Sequence, residues 1–333
     1  MVNALNASLR KEASRILQEN LVDVVIGFQA GSLPMTAQPA FVRRAGMAGI
    51  LINSGFGATN LALYLTRRRH RSERIGLVCR GCESRAVRVL TGERQHVREA
   101  LYLIGIPCKG IIDRRRIEAE AGPHVLSAEE IDAEVVVTTR SGEYRFLRSE
   151  VLHGACRQCR FPHPVGVDIT VGELPRERAD SLQEGGALSA AEAGTFIGKE
   201  PCGFESLTAD ERYAEFTRRA ERCIRCYACR QACPMCYCTQ CFVDSTTPRW
   251  TESTVGRAGA QAWHIMRAFH QTGRCVGCGA CERACPMGIK MRALTDKLNR
   301  DMERSYGFVP GKEEIHEPPF AAFSMDDANR FGR

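Results

Sequence analysis

The pattern Cys-x-x-Cys-x-x-Cys-x-x-x-Cys-Pro occurs twice, as CIRCYACRQACP at residues 223–234 and as CVGCGACERACP at residues 275–286. No other feature of the chain restricts its folding so tightly. Three cysteines at this spacing sit on one tight turn and can aim their thiolates at one point. The fourth lies beyond a turn of helix and points elsewhere. In the second copy, Gly277 and Gly279 let the backbone wrap closely and bring N–H groups to sulfur. A disulfide framework is the competing use of so many thiols, and it needs an export signal and an oxidising compartment. The stretch MVNALNASLRKEASRILQEN lacks a signal peptide's apolar core and reads as an amphipathic helix with Leu5, Leu9, Ile16 and Leu17 on one side. The chain has 17 cysteines, an odd number that also fits complete pairing poorly. Metal ligation in a reducing cytoplasm is the expectation.

Where two such runs share a chain, the fourth cysteine of each ligates the other run's 4Fe–4S cluster. One cluster is therefore assigned to Cys223, Cys226, Cys229 and Cys285, and the other to Cys275, Cys278, Cys281 and Cys233. A single Cys-x-x-Cys suits zinc or thiol redox chemistry equally well. Two full copies ending in Cys-Pro point to a ferredoxin-like pair of cubanes, with an insert between them longer than a small free-standing ferredoxin carries. The first run continues as MCYCTQC, which adds Cys236, Cys238 and Cys241. With Cys202 as fourth ligand these can hold a further cluster; the alternative is a shell of thiols around the two cubanes.

Upstream, strand-like apolar segments alternate with turns and helices. Residues 8–20 read as a helix and 21–28 as a strand. Segments 48–65 and 74–90 each read as an apolar run, a small-residue or cysteine-bearing turn, and a helix. A buried strand ends at Cys108, and 134–147 reads as a hairpin. The expected architecture is an α/β N-terminal domain over residues 1–200, a small α+β ferredoxin-like domain over 201–300, and an extended tail over 301–333. Helices are expected at 208–222 and 259–271. The net charge is +7, with basic runs at 66–74, 113–116 and 218–230. These read as solvated helix faces or as a docking surface for an acidic protein or phosphate-bearing cofactor. Nucleic acid is a weaker partner, since the aromatic interleaving of a single-strand binder is missing. No run reaches about 18 apolar residues, so no membrane span is expected.

Three cysteine-bearing turns in the N-terminal region, RGCESRAV, YLIGIPCKGIID and CRQCRFPHPVGVDITVG, carry a resemblance to a known family. Over roughly residues 20–175 the chain resembles the beta subunits of coenzyme F-420-reducing hydrogenase and of methanogen-type formate dehydrogenase, with their bacterial relatives. The resemblance implies FAD beside a third 4Fe–4S cluster, with Cys82, Cys108, Cys156 and Cys159 as ligands. Zinc would satisfy the same four thiolates, and only the resemblance favours iron. Cys79 reads as a spare buried thiol.

For the flavin, the turn NSGFGATN offers Asn53, Ser54, Gly55 and Gly57 as a phosphate cradle ahead of a helix. Arg80 and Gly81 are expected near the isoalloxazine, with Asp168 and Gly172 near its other wall. Residues that would hold the deazaflavin coenzyme itself are not identifiable. No Gly-x-Gly-x-x-Gly follows a strand in the pattern that nicotinamide dinucleotides require. The resulting expectation is a cytoplasmic iron–sulfur flavoprotein subunit of a hydrogenase, formate dehydrogenase or heterodisulfide-reductase-like complex. A flavin-free electron-transfer adaptor and an iron–sulfur nucleic-acid-binding or redox-sensing protein are the alternatives.

Overall fold

Five strands, of nearly unbroken apolar sequence or close pairing, build the main sheet of the computed structural model, which describes residues 2–67, 72–173, 206–252 and 255–314. The order is β2 (Ala37–Val42), β1 (Val24–Ala30), β3 (Ile75–Cys79), β4 (Leu101–Gly105) and β8 (Ile169–Thr170). β1, β3, β4 and β8 run parallel, and β2 is an antiparallel edge on β1. Parallel strands are covered on both faces and so need no polar alternation. β3, Ile-Gly-Leu-Val-Cys, is buried throughout.

The two faces are packed by different elements. Helix α1 (Val2–Gln18) lays Leu9, Ala13, Ile16 and Leu17 against Val25, Val78 and Ile104. The opposite face, with Val24, Ile26, Leu77 and Leu103, receives Leu61 and Leu65, the latter on helix α2 (Leu63–Arg67). It also receives Val87 and Leu90 of helix α3 (Gly81–Gly92). Cys79 lies on this second face with no exposed surface, so it is a core residue.

A separate three-stranded antiparallel sheet follows helix α4 (Arg114–Ala121): β5 (Val125–Ile131), β6 (Glu134–Thr139) and β7 (Gly142–Leu147). The hairpin expected at 134–147 is β6–β7. β5 and β8 were not expected. β5 is a half-exposed edge strand with two glutamates, and β8 has only two residues, so neither carries a strong apolar signal. Two single-turn helices, α5 (Arg148–Val151) and α6 (Gly154–Arg157), lead to the last cysteine turn of this region.

The dicluster region is helical. A capping box, Thr208 with Glu211, starts α7 (Ala209–Ala220). Each cysteine run carries a one-turn helix, α8 (Ala228–Gln231) and α10 (Ala280–Arg283). Helix α9 (Arg257–Gln271) lies in the insert, and α11 (Arg292–Tyr306) closes the region. The expected α+β character is not found: no strand occurs among the described residues after Thr170. The flanking segments have helical periodicity and helix caps, with no alternation to support a ladder.

One boundary also changes. The tail expected from 301 begins later, because α11 continues to Tyr306 before a left-handed Gly307. The following residues are pinned to α3, with Arg85 Nε donating to Pro310 O at 3.0 Å. The rest of the expected tail and Cys202 lie outside the described residues. The two regions also share a core: Cys233, Met235 and Val276 pack into the apolar cluster on the second face of the main sheet.

A candidate iron–sulfur site

The two cysteine runs fold alike. Arg225 and Tyr227 flank Cys226 with φ of 52° and 57°, and Gly277 and Gly279 flank Cys278 with φ of 71° at both. Glycine adopts this backbone freely, whereas arginine and tyrosine adopt it against a steric cost. Arg225 is held there by its own side chain, which reaches Tyr227 Oη at 2.8 Å and the Glu252 carbonyl. The result is the same in both copies: Arg225 N–H donates to Cys223 Sγ and Gly277 N–H to Cys275 Sγ, each at 3.4 Å. Such N–H···S bonds are a means by which proteins tune cluster potentials.

The assigned sets come together. Cys223 lies in electrostatic reach of Cys226 and Cys285, and Cys229 of Cys223 and Cys285. Cys275 faces Cys233 and Cys278, and Cys281 faces Cys233 and Cys275. Each fourth cysteine therefore lies near two of the other run's first three, Cys285 by Cys223 and Cys229, and Cys233 by Cys275 and Cys281. In the N-terminal region Cys108 faces Cys156 and Cys159, while Cys82 faces Cys108. Gly110 N–H donates to Cys108 Sγ at 3.3 Å and Ile111 N–H to Cys156 Sγ at 3.2 Å. Among the described residues no three His, Cys, Asp or Glu side chains converge as a single metal ion requires. An all-thiol set held on backbone N–H donors fits a cubane, whose ligands bind separate irons.

Burial shapes these thiols. It pushes Cys108 up to about 11 and Cys275 up to about 12. Nucleophilic or exchange-active thiols need the opposite shift. Coordination removes the proton outright, so buried high-pKa thiols suit metal ligation. Buried cations accompany them. Arg85 faces Cys159, Cys82 and Cys275, where burial lowers its pKa to about 10. Arg80, beside Cys82 and Cys108, is paired with the buried carboxylate of Glu83 at 2.7 Å.

The surplus thiols are not gathered in one place. Cys236 is close to Cys233 and accepts from Gln271 Nε2 at 3.4 Å; the hydrogen bond with Cys233 lowers its pKa. Cys238 is exposed, and Cys241 packs near Trp263 and Phe242. Of the proposed further set, Cys236 lies beside Cys233.

The flavin candidates are more scattered. Asn53 N–H donates to Asn6 Oδ1 at 2.7 Å, and a Cβ on Gly172 would meet Leu5 at 2.4 Å, so both lie at the start of α1. Arg80 reaches back to Gly57 O at 2.9 Å. Asp168 is bound to Leu103 N at 2.6 Å and to Arg98 at 2.9 Å, on the sheet edge. The turn at 53–57 does not fit a pyrophosphate as folded. Gly55 N–H donates to Glu130 Oε1 at 2.7 Å, Ser54 Oγ to the same oxygen at 3.1 Å, and Arg148 pairs with Glu130. The room at Gly55, Gly57 and Gly81 is taken by Arg148, the Phe28 ring and the Phe161 carbonyl.

Sequence reasoning missed Arg85, Arg267, Gln271 and the Glu130–Arg148 pair. A signal existed for two of them: Arg267 and Gln271 share a helical stripe with Trp263 in the insert between the cysteine runs. The basic runs are spent internally where described: Arg115 donates to Cys285 O at 2.7 Å, Arg222 to Met287 O at 2.7 Å, and Arg230 pairs with Asp244 at 2.8 Å.

Comparison with known proteins bears on the same residues. A 4Fe–4S dicluster domain family matches residues 219–289. The chain is 24% identical to the F420-dependent formate dehydrogenase subunit beta of Methanocaldococcus jannaschii, over 92% of this chain and 91% of the relative. The chain is similar to the beta subunits of F420-dependent formate dehydrogenases. A second such beta subunit, that of F420-dependent formate dehydrogenase 1 from Methanococcus maripaludis, is 22% identical over 91% of this chain and 90% of its own length. The solved F420-reducing [NiFe] hydrogenase complex from Methanosarcina barkeri matches with a TM-score of 0.40 and 12% identity, covering 66% of this chain and 89% of that one. The relationship to the beta subunits spans both the α/β region and the dicluster domain. No helix among the described residues is long and apolar enough to cross a membrane.

Proposed function

We propose that this chain is the electron-transferring subunit of a cytoplasmic multi-subunit oxidoreductase of the hydrogenase, formate dehydrogenase or heterodisulfide-reductase-like kind. It carries three 4Fe–4S clusters, over residues 1–200 and 201–300. The observation that carries this reading is the order of the thiol sets. Cys82, Cys108, Cys156 and Cys159 form one set, and Cys82 neighbours Cys278 of the next. That set shares the Cys233 and Cys285 exchange with the third. Bound there, the clusters would supply one-electron transfer along the line. The chain's own residues hold the thiolates by N–H···S bonds and offset their charge with Arg80, Arg85 and Arg267.

FAD is the two-electron cofactor that the family resemblance implies, but its expected seat at Asn53, Ser54, Gly55, Gly57, Arg80 and Gly81 is filled as folded. Glu130 holds the donors of Ser54 and Gly55, so a pyrophosphate there would take that carboxylate's place. The same contact favours a second reading, a flavin-free electron-transfer adaptor. Flavin content of the anaerobically purified chain separates the two.

The shared reading is tested by stepwise reduction followed by electron paramagnetic resonance. Adjacent centres give magnetically interacting signals as the second and third electrons enter. Isolated signals from two centres alone would remove the third set from the line.

A further inference from the structure

The buried face of α9 carries Trp263, Arg267 and Gln271 at four-residue intervals. This spacing stacks the three side chains along one stripe. Trp263 packs against Cys229 and Cys281. Gln271 accepts from Cys233 Sγ at 3.5 Å and donates to Cys236 Sγ at 3.4 Å. Arg267 stands between them with 6% of its surface exposed.

The surroundings of Arg267 are unusual for a buried arginine. The titratable groups around it include the thiols of Cys281, Cys233, Cys236 and Cys229 and the imidazole of His264. Among the described residues it forms no salt bridge, and its Nε has no hydrogen-bond partner. The other buried arginines are provided for: Arg80 pairs with Glu83, Arg148 with Glu130 and Arg292 with Asp296, while Arg85 is held by the Pro310 carbonyl and Arg225 by the Glu252 carbonyl. A buried guanidinium without a counter-charge is strongly destabilising. The groups placed to supply that counter-charge belong to both cubane sets, Cys229 to one and Cys233 and Cys281 to the other.

We propose that Arg267 is a positioning residue that raises the reduction potential of both dicluster cubanes, by fixing one buried positive charge between their ligands. The inference rests on the assignment of those thiols to two clusters. Reduction adds one negative charge to a cluster. A cation close by in a low-dielectric interior favours that added charge more than it would in water. One guanidinium within electrostatic reach of ligands of both sets biases both in the same direction.

The test is an anaerobic redox titration of the full chain, monitored by electron paramagnetic resonance, for the unmodified protein and for Arg267→Lys, Arg267→Gln and Gln271→Glu. Arg267→Gln lowers both midpoints by at least about 59 mV, a tenfold change in each one-electron equilibrium. Arg267→Lys stays within that interval. Gln271→Glu leaves Arg267 in place but sets a carboxylate one turn away, and lowers both midpoints in the same sense; it serves if Arg267→Gln does not fold. Unchanged midpoints in Gln271→Glu, or equal midpoints in the Lys and Gln variants, overturn the proposal. If the unmodified chain shows no pair of cubanes, the ligand assignment itself fails and the proposal with it.

Discussion

Cys82 and Cys278 pack against the same apolar cluster and lie close enough for charge on one to disfavour charge on the other. One belongs to the N-terminal thiol set and the other to the dicluster domain. Their meeting joins the two regions electrically as well as by packing.

Loss of one ligand should therefore read out set by set. Cys156→Ala should remove about four iron atoms per chain and leave the dicluster signals in place. Cys229→Ala should perturb the dicluster centres and spare the N-terminal one. Cys236→Ser should keep the full iron content, since its thiol is tied to Cys233 and Gln271. Iron analysis with electron paramagnetic resonance of each purified variant checks all three.

The glycines of the second cysteine run give a graded prediction. A Cβ at Gly277 meets nothing within 4 Å, whereas one at Gly279 would lie 2.6 Å from the Ala155 Cβ. Gly277→Ala should cost only the left-handed backbone term, about 1–2 kcal/mol. Gly279→Ala should cost more and loosen the seam between α10 and α6. Chemical denaturation of the holoprotein, with iron release as a second probe, distinguishes them.

How far the sequence reaches is visible in these same residues. The paired cysteine runs, the approach of each fourth cysteine to the other run and the apolar strands β1, β3 and β4 are legible because each rests on fixed spacing or on unbroken hydrophobicity. The strands β5 and β8 are not: β5 is half-exposed and lacks an apolar run, and β8 has two residues paired to the sequence-distant β4. Glu130 illustrates the cost of this. A glutamate on an exposed edge strand reads as surface, yet it fills the turn at 53–57 that reads as a phosphate cradle. Arg225 and Tyr227 carry no local sign of left-handed backbone; only alignment with Gly277 and Gly279 reveals it.

The Glu130 contact has its own test. Side chains of Glu130 and Arg148 are only 16% and 10% exposed, so Glu130→Ala strands a nearly buried cation. Stability should fall by about 3–5 kcal/mol, measured by denaturant titration. Phosphate should restore part of it in Glu130→Ala and have little effect on the unmodified chain.

Acid should destabilise the fold through His264. Burial, then Arg267, lowers its pKa from 6.5 to about 4. The unfolded chain thus takes up a proton that the folded chain refuses. Stability is full above about pH 6.5 and falls as the pH drops towards 4, by at most about 3 kcal/mol. His264→Gln should flatten that part of the stability profile relative to the unmodified holoprotein.

Anaerobic purification followed by iron and acid-labile sulfide analysis decides whether one chain holds three cubanes. About 12 of each per polypeptide is the predicted result. About 8 would leave Cys82, Cys108, Cys156 and Cys159 without a cluster and contradict the account.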